Sequence, residues 1–181
     1  MNKFMTIIRV AKLSDAKRLA DLAESSFIDA FSEQNTTEDM DTHCQSSYGE
    51  AIQADEISNP ESVTIVAENS GNLIAYAQLK WGKYPSCVSA SLPGEIQRLY
   101  VDKAWHGKGL AQDLMLACLE KMEERNTDIV WLGVWEENPK AISFYKKFNF
   151  REVGAHVFPL GREYQRDIIM MRHVKNAVQN A

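Results

Sequence analysis

Between residues 95 and 125 an alternating stretch, EIQRLYV, passes through AWHGKGL and at once enters an apolar helical pattern. This strand, glycine turn and helix start constrain the fold more than any other feature. A helix that begins directly behind such a turn leaves its first N–H groups free, and its dipole points at the same place. Gly107 and Gly109 let the backbone approach an anion with no Cβ in the way, and Lys108 adds a positive charge. Two familiar phosphate loops do not fit. A Walker A loop needs Lys and then Ser or Thr after its last glycine, and Gly109 is followed by Leu110. The dinucleotide fingerprint finds Gly107 and Gly109 but has Gln112 at its third position, although Asp128 stands at the spacing of a ribose-binding acid. That fold would also open on the motif, and here antiparallel strands precede it.

The surrounding pattern is that of one α/β domain. With 181 residues the chain has length for a sizeable single core. Residues 1–175 are read as that domain and 176–181 as a frayed tail. Met5–Val10 alternates as a first strand, and Ser14 offers an N-cap to a helix whose apolar positions are Leu19, Leu22, Ala23, Phe27 and Ala30. Residues 31–62 are polar and acidic, with a second helix opening at Thr36 or Thr37. Ser62–Ala67 and Leu73–Trp81 form a hairpin around Glu-Asn-Ser-Gly-Asn. Residues 83–94 read as a loop, Glu95–Val101 and Asp128–Val134 as strands, and the helix between them ends near Arg125. Asn138-Pro139 opens a last helix, with Asn as cap and Pro at the first helical position; Asn149 closes it in the left-handed conformation. Strands at Phe150–Ala155 and Arg166–Val174 complete a mixed, mostly antiparallel sheet of six or seven strands, flanked by about four helices.

Charge is distributed unevenly. From Leu19 to Leu79 there are twelve acids and no Lys or Arg, while the rest of the chain carries all 20 bases against 13 acids. Such a chain can attract a cationic ligand on one part and an anionic one on another. Scattered bases without interleaved aromatics argue against nucleic acid. No apolar run reaches the ~18 residues of a membrane span, and MNKFMTIIRV is too short in apolar residues for a signal peptide. Cys44, Cys87 and Cys118 are odd in number and lack CxxC spacing, which points to a reducing, cytoplasmic setting and against a zinc site. His43 and Cys44 are adjacent without further ligands, so no metal is expected. Cys118, Trp131 and Trp135 read as packing residues, and His156 as a structural or substrate-facing one.

His106-Gly-Lys-Gly-Leu-Ala111, and then Asn138, Ala141, Phe144-Tyr145 and Asn149-Phe150, together resemble the two signatures of the GNAT N-acetyltransferases. Glu95–Val101, Trp131–Glu136, Gly154-Ala-His156, Gln165 with Asp167, and Phe31–Asn35 extend the resemblance towards the bacterial PaiA-type spermine/spermidine acetyltransferases. The resemblance implies a GNAT-like domain that uses acetyl coenzyme A. The backbone from Gly107 through Lys108, Gly109, Leu110 and Ala111 to Gln112 would cradle the coenzyme A pyrophosphate. Leu99, Tyr100 and Val101 would pair with the pantetheine arm, and Asn138 would lie near the thioester. Tyr145 matches the tyrosine that protonates the leaving thiolate. His106 stands where the family usually has Gln or Arg, so a phosphate contact from it is not expected at neutral pH. The resemblance is compatible with a homodimer.

Acetyl transfer to an amine needs a neutral amine, a polarised carbonyl and a protonated leaving group. An alkylamine has a pKa near 10.4 and must first lose a proton. Glu95, at the head of the central strand, is the candidate base, acting through water. Tyr145 is the candidate acid, since a phenol near pKa 10 can yield its proton to a thiolate. A backbone N–H of Leu99 or Val101 would polarise the carbonyl. The expected acceptor is a small cationic amine, a polyamine such as spermidine or spermine, drawn in by the acidic segment; Glu33, Glu38, Asp39 and Asp41 are its candidate contacts. A protein or antibiotic amine, a non-catalytic acyl-coenzyme A-binding regulator and a nucleotide-dependent oxidoreductase stay open on the sequence alone.

Overall fold

A computed structural model of the chain describes residues 6–33, 35–160 and 163–174. Met5, predicted to open the first strand, and the predicted tail 176–181 lie outside them. Strand β1 (Ile7–Val10) is followed by helices α1 (Ala16–Phe31), α2 (Thr37–Ser47) and α3 (Glu50–Ser58). Then come β2 (Ser62–Asn69), β3 (Asn72–Trp81), β4 (Pro93–Val101), α4 (Leu110–Glu124), β5 (Ile129–Trp135), α5 (Pro139–Lys147), β6 (Arg151–Leu160) and β7 (Glu163–His173). The seven strands form one sheet in the order β1-β2-β3-β4-β5-β7-β6. Every pairing is antiparallel except β4–β5, which is parallel because α4 carries the chain back across the sheet.

Alternation in the strands supplies both faces of this sheet with apolar side chains. Ala75, Ala77, Leu79, Ile96, Val130, Leu132 and Met170 pack on one face against Leu114, Met115, Cys118 and Met122 of α4, and α5 joins this layer. On the other face Val66, Leu73 and Tyr76 pack against Leu19, Leu22, Ala23 and Phe27 of α1 and Met40 and Cys44 of α2. A third cluster on that side sets Trp131, Ile169 and Met171 against Val88 of the loop between β3 and β4.

The described residues hold five helices, one more than the sequence pattern separates. The acidic stretch after α1 contains two, because Tyr48-Gly49 breaks the helix and Gly49 restarts it as the N-cap of α3. Ser14 does not cap α1. A 3-10 turn (Leu13–Asp15) precedes that helix, and the buried Asp15 carboxylate accepts the Lys12 N–H and pairs with Arg9 and Arg18. The predicted caps of α5 hold: Asn138 Oδ1 accepts the Ala141 N–H at 3.0 Å, and Asn149 sits at φ 64°.

Two departures from regular pairing position the site. Leu79 pairs with Ile96 but Gln78 with Arg98, so Gln97 is an extra residue bulged out of β4. Glu95 and Gln97, which share a face in a regular strand, are separated by this bulge. β4 and β5 pair at Pro93–Ile129, Gly94–Val130 and Glu95–Trp131, and no further pair forms between them. Beyond that point the two strands part and open a wedge in the middle of the sheet.

Candidate active site

The wedge widens into a cleft of about 940 Å³. One half is walled by backbone. Asp102 N–H donates to Ile74 C=O on β3, so by strand alternation the N–H and C=O groups of Leu99 and Val101 point away from β3, into the wedge. At its mouth the chain turns through Gly107 (φ 74°) and Gly109 (φ 83°) and starts α4 at Leu110 with no side-chain cap. Leu110, Ala111 and Gln112 line the cleft; the Gln112 N–H already donates to Gly109 C=O at 3.0 Å, and the N–H groups of Leu110 and Ala111 with the positive helix dipole favour an anion. His106 Nε2–H donates to the Val101 carbonyl at 2.8 Å, which ties the loop to the end of β4. The Lys108 ammonium rests over the Trp105 ring at 4.7 Å, outside the lining, whereas Lys103, Lys140 and Lys147 flank the cleft.

Tyr145, from α5, is part of the same lining. It lines the cleft with Asn138 and Phe144, and packs edge-on to Phe144 and Phe150. Burial drives its phenol pKa upward, so the hydroxyl keeps its proton throughout the physiological range.

The other half is aromatic. Phe27 stacks on His43 at 4.3 Å and Phe31 leans on Trp135 at 6.0 Å between ring centroids. Gln165 donates to Asn35 Oδ1 at 2.9 Å, which joins β7 to the segment between α1 and α2. Arg98, which lines the cleft, lies over Tyr48 and is bonded at 2.8 Å to both Glu56 and Gln78, so Glu56 answers its charge. Asp29 and Asp167 are the carboxylates of the lining. Burial, with the Arg98 charge second, pushes the His43 pKa down. Glu95 is half-buried one residue before the lining begins, on the Arg98 side of β4. Burial pushes its carboxyl up to about 7, against the pull of Lys80 and Arg98.

Comparison with known proteins decides the family. The model of the acetyltransferase (GNAT) family matches residues 18–150. The chain belongs to that family. An uncharacterised N-acetyltransferase of Lactobacillus delbrueckii subsp. lactis is 28% identical over 170 residues, covering 93% of this chain and 98% of that one. The spermine/spermidine N(1)-acetyltransferase of Bacillus subtilis (strain 168) is 26% identical over 84 residues, 45% of this chain and 54% of its own. Among solved structures, the PaiA N-acetyltransferase of Thermoplasma acidophilum in complex with coenzyme A matches with a TM-score of 0.75 at 21% identity, covering 93% of this chain and 99% of that one.

As a GNAT protein the chain is an N-acetyltransferase, and the predicted site residues can be located in its cleft. Leu99, Tyr100, Val101, Gly107, Gly109, Leu110, Ala111, Gln112, Asn138 and Tyr145 come together in the lining. Glu33, Glu38 and Asp41 lie exposed off the cleft, and Asp39 is buried at the start of α2, bonded to Thr36. Asp128, at the spacing of a ribose acid, instead accepts the N–H groups of Ser91 and Leu92 and anchors their loop. Trp131 is packing, but Trp135 lines the GNAT cleft. Asp29, Asp167, His43 and Arg98 also line it. Sequence reasoning did not assign them to the site; the faint signal was Gln165 with Asp167, two residues apart on one face of a closing strand.

Proposed function

We propose that this GNAT enzyme transfers the acetyl group of acetyl coenzyme A to a primary amine of a small polycation of the polyamine class, with Tyr145 as general acid. The observation that carries this reading is a single cleft with two unlike sets of lining residues, in which Tyr145 also takes part. One is a backbone edge ending in a glycine turn and a helix start; the other comprises Phe27, Phe31, Trp135, Asp29 and Asp167. Aromatic faces and carboxylates suit alkylammonium groups. The Bacillus subtilis relative, named for spermine and spermidine, supports the same class of acceptor.

The residues present fit coenzyme A. Gly107 and Gly109 at positive φ and the uncapped start of α4 suit its pyrophosphate, while the inward N–H and C=O groups of Leu99 and Val101 suit an extended amide arm. When bound, acetyl coenzyme A supplies an acyl carbon with a thiolate as leaving group. Leu99 or Val101 N–H polarises the acyl oxygen, and Tyr145 Oη–H donates its proton to the departing sulfur. Glu95, close to neutrality in pKa, takes a proton from the attacking nitrogen through water. The acid-rich segment from α1 to β3 acts through its field, drawing the cation towards the cleft. Unpaired Cys44, Cys87 and Cys118 accord with a cytoplasmic enzyme.

The test is acetyl coenzyme A consumption over a panel of amines that includes spermine and spermidine, with Tyr145→Phe beside the parent. Turnover of polyamines is expected, falling by about 100-fold or more in the variant, with coenzyme A affinity unchanged. A variant that acetylates spermidine at the parental rate would remove Tyr145 from its role. A chain that binds NAD but not coenzyme A would sink the whole reading.

A further inference from the structure

Asp167 in the cleft lining and His156 beside it form a titratable pair to which this chemistry assigns no proton transfer. Asp167 on β7 is paired across the sheet with Trp135 on one side and His156 on the other. Its side chain is 15% exposed and belongs to the cleft lining; that of His156 is 42% exposed and reaches solvent at the sheet edge. His156 Nε2 and Asp167 Oδ2 lie 3.8 Å apart, an ion-pair separation that one small rotation or a bridging water closes. Both hang over Gly133, just beyond the last β4–β5 pair. A Cβ there would crowd His156 Nε2 at 3.3 Å, which would have to shift by a few tenths of an ångström, and would touch Asp167 Oδ2 at 3.4 Å. The missing side chain therefore leaves the pair its place beside the open wedge.

We propose that Asp167 binds the ammonium group of the acceptor and takes its first proton, and that His156 passes this proton to solvent. This rests on the amine-acceptor reading above and names the step that the reading leaves open. Two protons must leave the nitrogen, one before attack and one after it. In the first step an N–H bond of the ammonium breaks, the nitrogen keeps the electron pair, and the proton bonds to an Asp167 oxygen. His156 then accepts it at Nε2 and releases it to water, which restores the carboxylate. Glu95 is left to serve the second proton.

The surroundings of Asp167 suit the task. The titratable groups facing it are His156 from β6 and Tyr100 from β4, whose pKa is raised chiefly by burial and in smaller part by the Asp167 charge. Arg166, its neighbour on β7, is turned away to Glu136 at 2.6 Å. Burial raises the Asp167 carboxyl above its ordinary range and His156 partly offsets this, which brings the carboxylate closer to an amine in proton affinity.

Asp167→Asn and His156→Ala test this, with calorimetric titration of spermidine into the coenzyme A complex as a readout separate from turnover. Asp167→Asn is expected to weaken spermidine binding about tenfold and lower kcat/KM for the amine about 100-fold, with the KM for acetyl coenzyme A unchanged. His156→Ala is expected to lower kcat by roughly tenfold, restored by added imidazole, since a merely structural histidine is not rescued in this way. Parental spermidine binding and kcat/KM in Asp167→Asn overturn the assignment of Asp167, and a His156→Ala defect that imidazole leaves untouched overturns the relay. A parent enzyme that binds coenzyme A but acetylates no amine overturns the transferase reading and this step with it.

Discussion

Glu95 shows how one carboxyl ties stability to chemistry. Its pKa is about 7 in the folded chain and about 4.3 for an unperturbed glutamate, so between those values the native state holds the proton more firmly than the unfolded state. Stability then falls as pH rises from about 4.3 to about 7 and stays reduced above that. Glu95→Gln removes the ionisation, so the variant should match the parent at pH 4 and exceed it by about 1–3 kcal/mol at pH 8. A base must be deprotonated to act, so the parental rate should decline below pH 7, and this limb should vanish from the residual activity of the variant. Urea unfolding at the two pH values and a kcat profile check both halves; equal stabilities at both pH values would contradict the burial argument. The place of Tyr145 in the cleft was legible in the sequence, because motif neighbours only a few residues away mark it. That of Asp167 was not, because strand pairing alone brings it to the cleft beside Gly133 and His156.

At the scale of elements, α5 presents Tyr145 and is fixed at both ends by asparagine. At its start Asn138 caps the Ala141 N–H; at its end Asn149, at φ 64°, donates to Lys146 C=O while Phe150 N–H reaches Tyr145 C=O. An L-residue with a Cβ and no local polar group is strained in that conformation. Asn149→Ala should therefore cost about 1 kcal/mol in urea unfolding, and Asn149→Gly should stay within a few tenths of the parent. If Ala is as stable as Gly, the left-handed cap is not what ends the helix. These caps were legible because capping is a local bargain between neighbouring residues. The division of residues 37–58 into α2 and α3 was not, since α3 buries the polar Gln53 and shows no clean apolar stripe. Nor was the Gln97 bulge, because an extra residue in β4 is defined only by its register against β3.

The whole molecule is a sheet that fails to close at its centre. Six of its strand junctions would seal a seven-stranded sheet, and five pair along most of their length; the β4–β5 junction stops after three pairs. Buried backbone groups left without partners are costly, so the inward N–H and C=O groups of Leu99 and Val101 favour a ligand that can act as a further strand. The hydrogen bond from His106 to Val101 engages one of these groups and couples the edge of the wedge to the glycine turn. A ligand that fills both places binds the native chain and not the unfolded one, and so stabilises it by mass action. Coenzyme A at about 100 times its Kd should add about 2.7 kcal/mol, which for a chain of this size raises Tm by roughly 5–10 °C. NAD at the same concentration should leave Tm where it is, because it has a pyrophosphate for the turn but no amide arm for the wedge. Differential scanning fluorimetry with the two ligands separates the contributions. An equal rise with both would mean that the helix start alone supplies the affinity and that the open sheet takes no part in it.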